Sequence, residues 1–200
     1  MKFFKENSYD IVKLFINQIG ITIFSFVLYT AIDFVRINNA ALHLQLKVLL
    51  SIFATLFYFA LLYTATWDFG AKDRVRIDSG RYSATKLKGF IMSLMASVPT
   101  FVLAGLCIVF MAVHLASGNE VMYTLFLLSN LFLRFISSMF LGILQVAFSA
   151  FSSQENLTYL LESIGYFVMP LISALVCHLG YTLGRREFKL LSVFSPKSKK

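Results

Sequence analysis

The sequence predicts an all-α fold: a polytopic transmembrane bundle of about five helices, forming one domain over residues 1–200. Three observations predict it. Of the 200 residues 58% are hydrophobic and only 14% are charged, where a soluble domain carries roughly a quarter. The apolar residues gather in runs of about 20 or more, long enough to cross a hydrocarbon core about 30 Å thick. The charges stand between the runs, above all in segment 68–88, which holds six of the eighteen basic residues (Lys72, Arg74, Arg76, Arg81, Lys86, Lys88) with Asp68, Asp73 and Asp78. Basic residues in a short loop mark the cytoplasmic side, so the loop 70–88 and the N-terminus are expected inside. No interior stretch has the Pro, Gly or Ser bias of an interdomain linker.

The first span, 11–34, follows a short polar lead with Lys2 and Lys5. No small-residue cleavage site follows it, so it reads as an uncleaved helix and not as a signal peptide. Gln18, Thr22, Ser25, Tyr29 and Asp33 recur at helical spacing and form one stripe, which should face other helices. Asn38-Asn39 mark a turn. The second span, 47–69, is almost uniformly apolar and ends in Tyr63 and Trp67, rings suited to the headgroup level. Gly70 and Gly80 are expected to supply turns in the charged loop.

The third span, 89–116, places Ser93, Ser97, Thr100 and Ala104 on one close-packing face, and Pro99 should kink it. Residues 117–120 (SGNE) make a tight external turn without a basic residue. The fourth run, 121–151, contains Arg134. At 100° per residue Asn130, Ser137, Ser138, Gln145 and Ser149 all lie within about 60° of it. As one helix this run would be roughly 45 Å long, so it must tilt, bend or emerge. A polar connection, 152–162, with the sequon Asn156-Leu157-Thr158, leads to the last span, 163–184. There Gly180-x-x-x-Gly184 is expected to pack against another helix of the same chain. The tail 185–200 carries six more basic residues.

Charge and span count conflict. Five crossings put the basic tail outside, whereas a cytoplasmic tail would place 15 of 18 basic residues inside and require 121–151 to be bent or re-entrant. The single polar stripe of that run favours a continuous helix. The expectation is therefore five helices, a cytoplasmic N-terminus and a tail on either side.

Arg134 should have a reason to lie in hydrocarbon, where it costs about 2.5–3.5 kcal/mol. Its expected partners are Asp68 and Gln18, and with Asn130 these make the candidate structural or ligand site. Locking the bundle, snorkelling, an anion or headgroup site and a transport role are the alternatives. Lys72, Arg74, Arg76 and Arg81 are expected to contact anionic headgroups, at about 1 kcal/mol each. Charges confined to membrane flanks argue against nucleic acid as a partner.

No catalytic set is apparent. Asp68, Asp73 and Asp78 invite comparison with metal-dependent transferases acting on lipid alcohols, but a spacing of five puts them on different helix faces and no aspartate follows Asp78. His43, His114 and His178 stand apart, and Cys107 and Cys177 lie in apolar runs without CxxC spacing, so neither a metal nor another cofactor is expected.

The strings NQIGITIF (17–24), LLYTATWDFGAKDRVRIDSGR (61–81), RFISSMFLGIL (134–144) and LGYTLGRREF (179–188) resemble a set of small multi-pass membrane proteins of clostridial-type Gram-positive bacteria. The likeness runs over most of the chain, and W-D/E-x-G-A-K-D-R is its most specific piece; Pro99-Thr100 departs from an expected Pro-Asn. The resemblance implies a bacterial cytoplasmic membrane and brings no activity or catalytic residues. The functional expectation is a non-enzymatic accessory, scaffold or regulatory membrane subunit, with a membrane protein or a second copy as possible partner. The alternative is a small oligomeric transporter or channel using the polar stripes of the first and fourth helices.

Overall fold

Backbone amides in hydrocarbon must be paired within the chain, and long runs of Leu, Phe, Ile and Ala do this as helices. The computed structural model describes residues 2–34, 40–80, 87–149 and 155–186. These form α1 (Lys2–Phe34), α2 (Ala40–Asp78), α3 (Lys88–Ala96), α4 (Val98–Ser117), α5 (Glu120–Ile136), a 3-10 turn (Ser138–Phe140), α6 (Leu141–Ser149) and α7 (Glu155–Arg185). No strand occurs among the described residues. Four of these helices, α1, α2, α4 and α7, are long and apolar enough to cross a membrane, and α5 with α6 forms a pair bent by 84°. The chain is a multi-pass membrane protein.

Three expectations are corrected. The charged segment is not all loop: α2 continues to Asp78, about 15 Å beyond Asp68. Lys, Arg, Ala and Asp tolerate a helix once it leaves the bilayer, and Arg74 pairs with Asp78 one turn on (3.5 Å). Gly70 is accordingly no turn. A Cβ there would stand 2.9 Å from the Arg185 backbone nitrogen, so Gly70 lets α7 touch α2. The turn falls at Gly80, whose φ is 71°. Arg81 and the rest of 81–86 lie outside the described residues, as do Asn38-Asn39 and the tail beyond Arg186.

Second, the run 89–116 breaks beside Pro99, where a kink is expected, and does so completely enough to make two helices. Pro99 has no N–H to continue the ladder; α3 ends at Ala96, Ser97 caps it at φ −90°, ψ 4°, and α4 starts with Pro99 in its first turn.

Third, 121–151 is not one helix. It breaks at Ser137 and turns sharply. Stripe residues that suggested continuity are used at the break itself: Ser138 Oγ donates to the carbonyl of Thr22 (2.9 Å).

Packing fixes the order of the ends. At the charged end the α2–α7 contact is closest: a Cβ on Gly180 would stand 2.7 Å from the Tyr63 carbonyl oxygen, and one on Gly184 2.9 Å from the Trp67 carbonyl carbon. Gly180-x-x-x-Gly184 thus packs within the chain. Lys13 lies 5.4 Å over the Phe69 ring, which brings the start of α1 to the same end. At the opposite, far end, Gly118 (φ 66°) closes α4 and the Asn119 side chain caps α5 by accepting from Val121 N (2.9 Å). From there α5 descends to the level of Thr22. The chain then returns, with Gly142 at Tyr29 and Lys47 and Val146 beside Leu44 and Val48 at the start of α2. α5 and α6, at 84° to each other, therefore form a re-entrant hairpin between the far-end starts of α5 and α7, and α7 runs back to the charged end.

Candidate functional site around Arg134

The foot of the hairpin exposes carbonyls and N–H groups that a continuous helix would pair internally. α1 and α2 supply the partners. Thr22 Oγ1 donates to the Ile136 carbonyl (2.6 Å). Ser51 and Thr55 both donate to the Met139 carbonyl (2.7 and 3.0 Å). Gly142 N donates to the Tyr29 hydroxyl (2.8 Å), which donates in turn to the Lys47 carbonyl (3.1 Å). Non-helical backbone survives at this depth because protein surrounds it. Within the polar stripe of α1, Thr22 and Tyr29 serve this purpose.

Arg134, on the last turn of α5, does not meet its expected partners. Asp68 is exposed at the charged end, and Gln18 donates its amide to Thr100 Oγ1 (3.0 Å), tying α1 to α4. The guanidinium instead donates from Nη2 to Glu162 Oε2 on α7 (2.5 Å) and sits 5.5 Å over the Tyr159 ring. Asn130 is buried one turn along α5 towards the far end. Sequence reasoning missed Glu162 because it counted 152–162 as a polar connection, whereas α7 already begins at Glu155. A signal was present: Tyr159, Glu162 and Tyr166 follow each other at intervals of three and four, one face of a helix.

Beside the pair lies a chamber of about 570 Å³ between α1, α5, α6 and the start of α2. Its walls are mostly aromatic and aliphatic, Phe26, Leu131, Phe132, Phe135 and Leu141, with Arg134 and Ser138 among them. Phe26 and Phe135 meet edge to face at 5.1 Å. At its rim Asp33 holds Lys47 (2.6 Å) and His43 (3.1 Å). Apolar walls with a paired guanidinium suit an apolar or amphiphilic occupant.

A second ionic cluster lies at the charged end. Asp73 and Lys88 are 2% and 1% exposed, bonded at 2.6 Å, with the Tyr181 hydroxyl donating to the same carboxylate oxygen (2.8 Å). This ties α2, α3 and α7 together. Of the basic residues expected at headgroups, Lys72 and Arg76 are exposed on the extension of α2, and Arg74 is half-buried.

Among the described residues no three of His, Cys, Asp and Glu gather as metal ligands, and Cys107 and Cys177 are both free and buried. Comparison with protein families, with curated proteins and with solved structures found no match for this chain.

Proposed function

We propose that this protein is a non-enzymatic accessory or scaffold subunit of a bacterial cytoplasmic membrane, with its charged end in the cytoplasm facing anionic headgroups or the acidic face of a partner. One observation carries this: most of the polar groups at depth are engaged inside the fold, the Ser25 hydroxyl and His178 Nδ1 being exceptions. Gln18, Thr22, Tyr29, Ser51 and Thr55 bond to neighbouring helices, and both deep cations, Arg134 and Lys88, have carboxylate partners. Side chains arranged this way fix a shape. With the end of α7 at the charged end, 15 of the 18 basic residues belong to the N-terminal segment, segment 68–88 and the tail, in keeping with the positive-inside rule. Purification from its native membrane in mild detergent, followed by identification of what stays bound, tests the proposal. A stoichiometric membrane-protein partner supports it; the chain recovered alone at every detergent strength counts against it.

A second possibility, an oligomeric transporter, is favoured by the chamber beside Arg134. Reconstituted vesicles would then leak a small solute in proportion to protein, and filling the chamber with Leu131→Trp would stop the leak.

A further inference from the structure

The last turns of α7 carry a feature that neither the Arg134 pair nor the α2 extension uses. His178, Thr182, Arg185 and Arg186 line a cavity of about 320 Å³. At 100° per residue these four lie within about 60° of Thr182, and so do Leu171, Leu175 and Leu179. The opposite side of the helix, with Cys177, Tyr181 and Gly184, is buried against α2 and α3. The outer face thus reads as a row of exposed leucines, with Leu175 and Leu179 both more than half exposed, ending in hydroxyl, imidazole and two guanidinium groups.

Depth and charge define what fits. Gly184 packs on Trp67 and Gly70 on Arg185, so Arg185 and Arg186 stand where α2 leaves its apolar run, at headgroup level. His178 lies about 10 Å deeper. Its Nδ1 is buried without a hydrogen-bond partner. Among the described residues no carboxylate pairs with Arg185 or Arg186. Guanidinium groups with no carboxylate partner among the described residues, an imidazole one layer below and an apolar track beyond match the phosphate, ester carbonyl and acyl chain of a phospholipid.

We propose that this face of α7 is a binding site for one anionic glycerophospholipid: its phosphate between Arg185 and Arg186, an ester carbonyl at His178, and a chain along Leu179, Leu175 and Leu171. The site deepens the proposal that the charged end meets anionic headgroups and rests on it. It differs from that general attraction in being a discrete site, separate from Lys72, Arg74 and Arg76.

Native mass spectrometry of the detergent-purified full chain tests it, with phosphatidylglycerol and phosphatidylcholine added in turn. One phosphatidylglycerol is expected to stay bound at collision energies that strip phosphatidylcholine. The Arg185→Gln/Arg186→Gln chain should lose at least tenfold in that affinity, His178→Leu should lose less, and Lys72→Gln/Arg74→Gln/Arg76→Gln should keep it. If the α2 variant loses the lipid and the α7 variant keeps it, the site is overturned while attraction of the charged end to anionic lipid stands. If phosphatidylglycerol and phosphatidylcholine bind alike, both fail. Inorganic phosphate is the control for a free anion: displacement of the lipid by millimolar phosphate would overturn a lipid site. Lys72, Arg76 and Arg186 are exposed and Arg74 and Arg185 half-buried, so for the glutamine variants a thermal midpoint within a few degrees of the parent is expected.

Discussion

At the scale of single residues, the chain handles buried charge by giving each deep cation one acid from a different helix. Arg134 has Glu162 and Lys88 has Asp73. Such pairs add little net stability, yet breaking one is costly because the survivor stays buried and unpaired. Arg134→Leu leaves Glu162, only 7% exposed at its side chain, without its cation. A loss of about 3 kcal/mol is expected, at the low end for buried pairs because Arg134 is itself 35% exposed. Glu162→Gln should lose less, and the combined variant should recover part of the Arg134→Leu loss. Unfolding in a detergent–denaturant series, analysed as a double-mutant cycle, gives the coupling; simple additivity would mean that the pair does not hold α5 to α7. The Arg134 position was legible in the sequence as a charge needing a partner. The partner was not, because Glu162 sits where composition suggests a connection and only the start of α7 at Glu155 makes it part of a helix face.

At the scale of elements, two devices carry the packing, and each can be tested against a control in the same chain. The α2–α7 contact depends on missing side chains. Gly70, Gly180 and Gly184 each have partner-helix backbone within 3 Å of where a Cβ would stand, whereas Gly105 has nothing within 4 Å. Gly105→Ala should be neutral or stabilise by up to about 1 kcal/mol through helix propensity. Gly70→Ala should destabilise, since two backbones must move apart; equal midpoints for the two would refute the close approach. The second device is the set of hydroxyls under the hairpin. Ser51 and Thr55 share the Met139 carbonyl, so either alone satisfies that carbonyl, while Ser51 also accepts from Ile143 N (3.3 Å). Ser51→Ala or Thr55→Val should cost about 0.6 kcal/mol, typical of hydrogen bonds between helices in membranes. Together they should cost more than the sum, because the carbonyl is then orphaned in a dry interior. The stripe of Thr22 and Tyr29 was readable as a buried face from its spacing. What it faced was not, since a helix period says which residues are inside and nothing about whether the neighbour is a side chain or a broken backbone.

At the scale of the whole molecule, the sequence left a contradiction between apolar runs, which count five, and basic residues, which balance only if one run fails to cross. The five runs were legible because their lengths exceed what a soluble core needs. The bend was not, because breaking a helix at Ser137 requires acceptors and donors from α1 and α2 that are more than 80 residues away in sequence. The hairpin resolves the contradiction and makes a prediction independent of which side is the cytoplasm. In a chain with Cys107 and Cys177 replaced by Ala, single cysteines at Ser79, Ser117, Asn156 and Arg186 sample the charged turn, the α4–α5 turn, the start of α7 and its end. If α5 and α6 return to the side they entered, Ser117→Cys and Asn156→Cys react together with a membrane-impermeant maleimide on intact cells. Ser79→Cys and Arg186→Cys then behave alike and oppositely to the first pair. A crossing at 121–151 would instead couple Asn156→Cys to Ser79→Cys, and Ser117→Cys to Arg186→Cys. The positive-inside rule adds the sign: the Ser117 and Asn156 positions label on intact cells, while the other two label only after the membrane is opened. Reaction at Ser79 and Arg186 on intact cells would keep the hairpin and invert the protein.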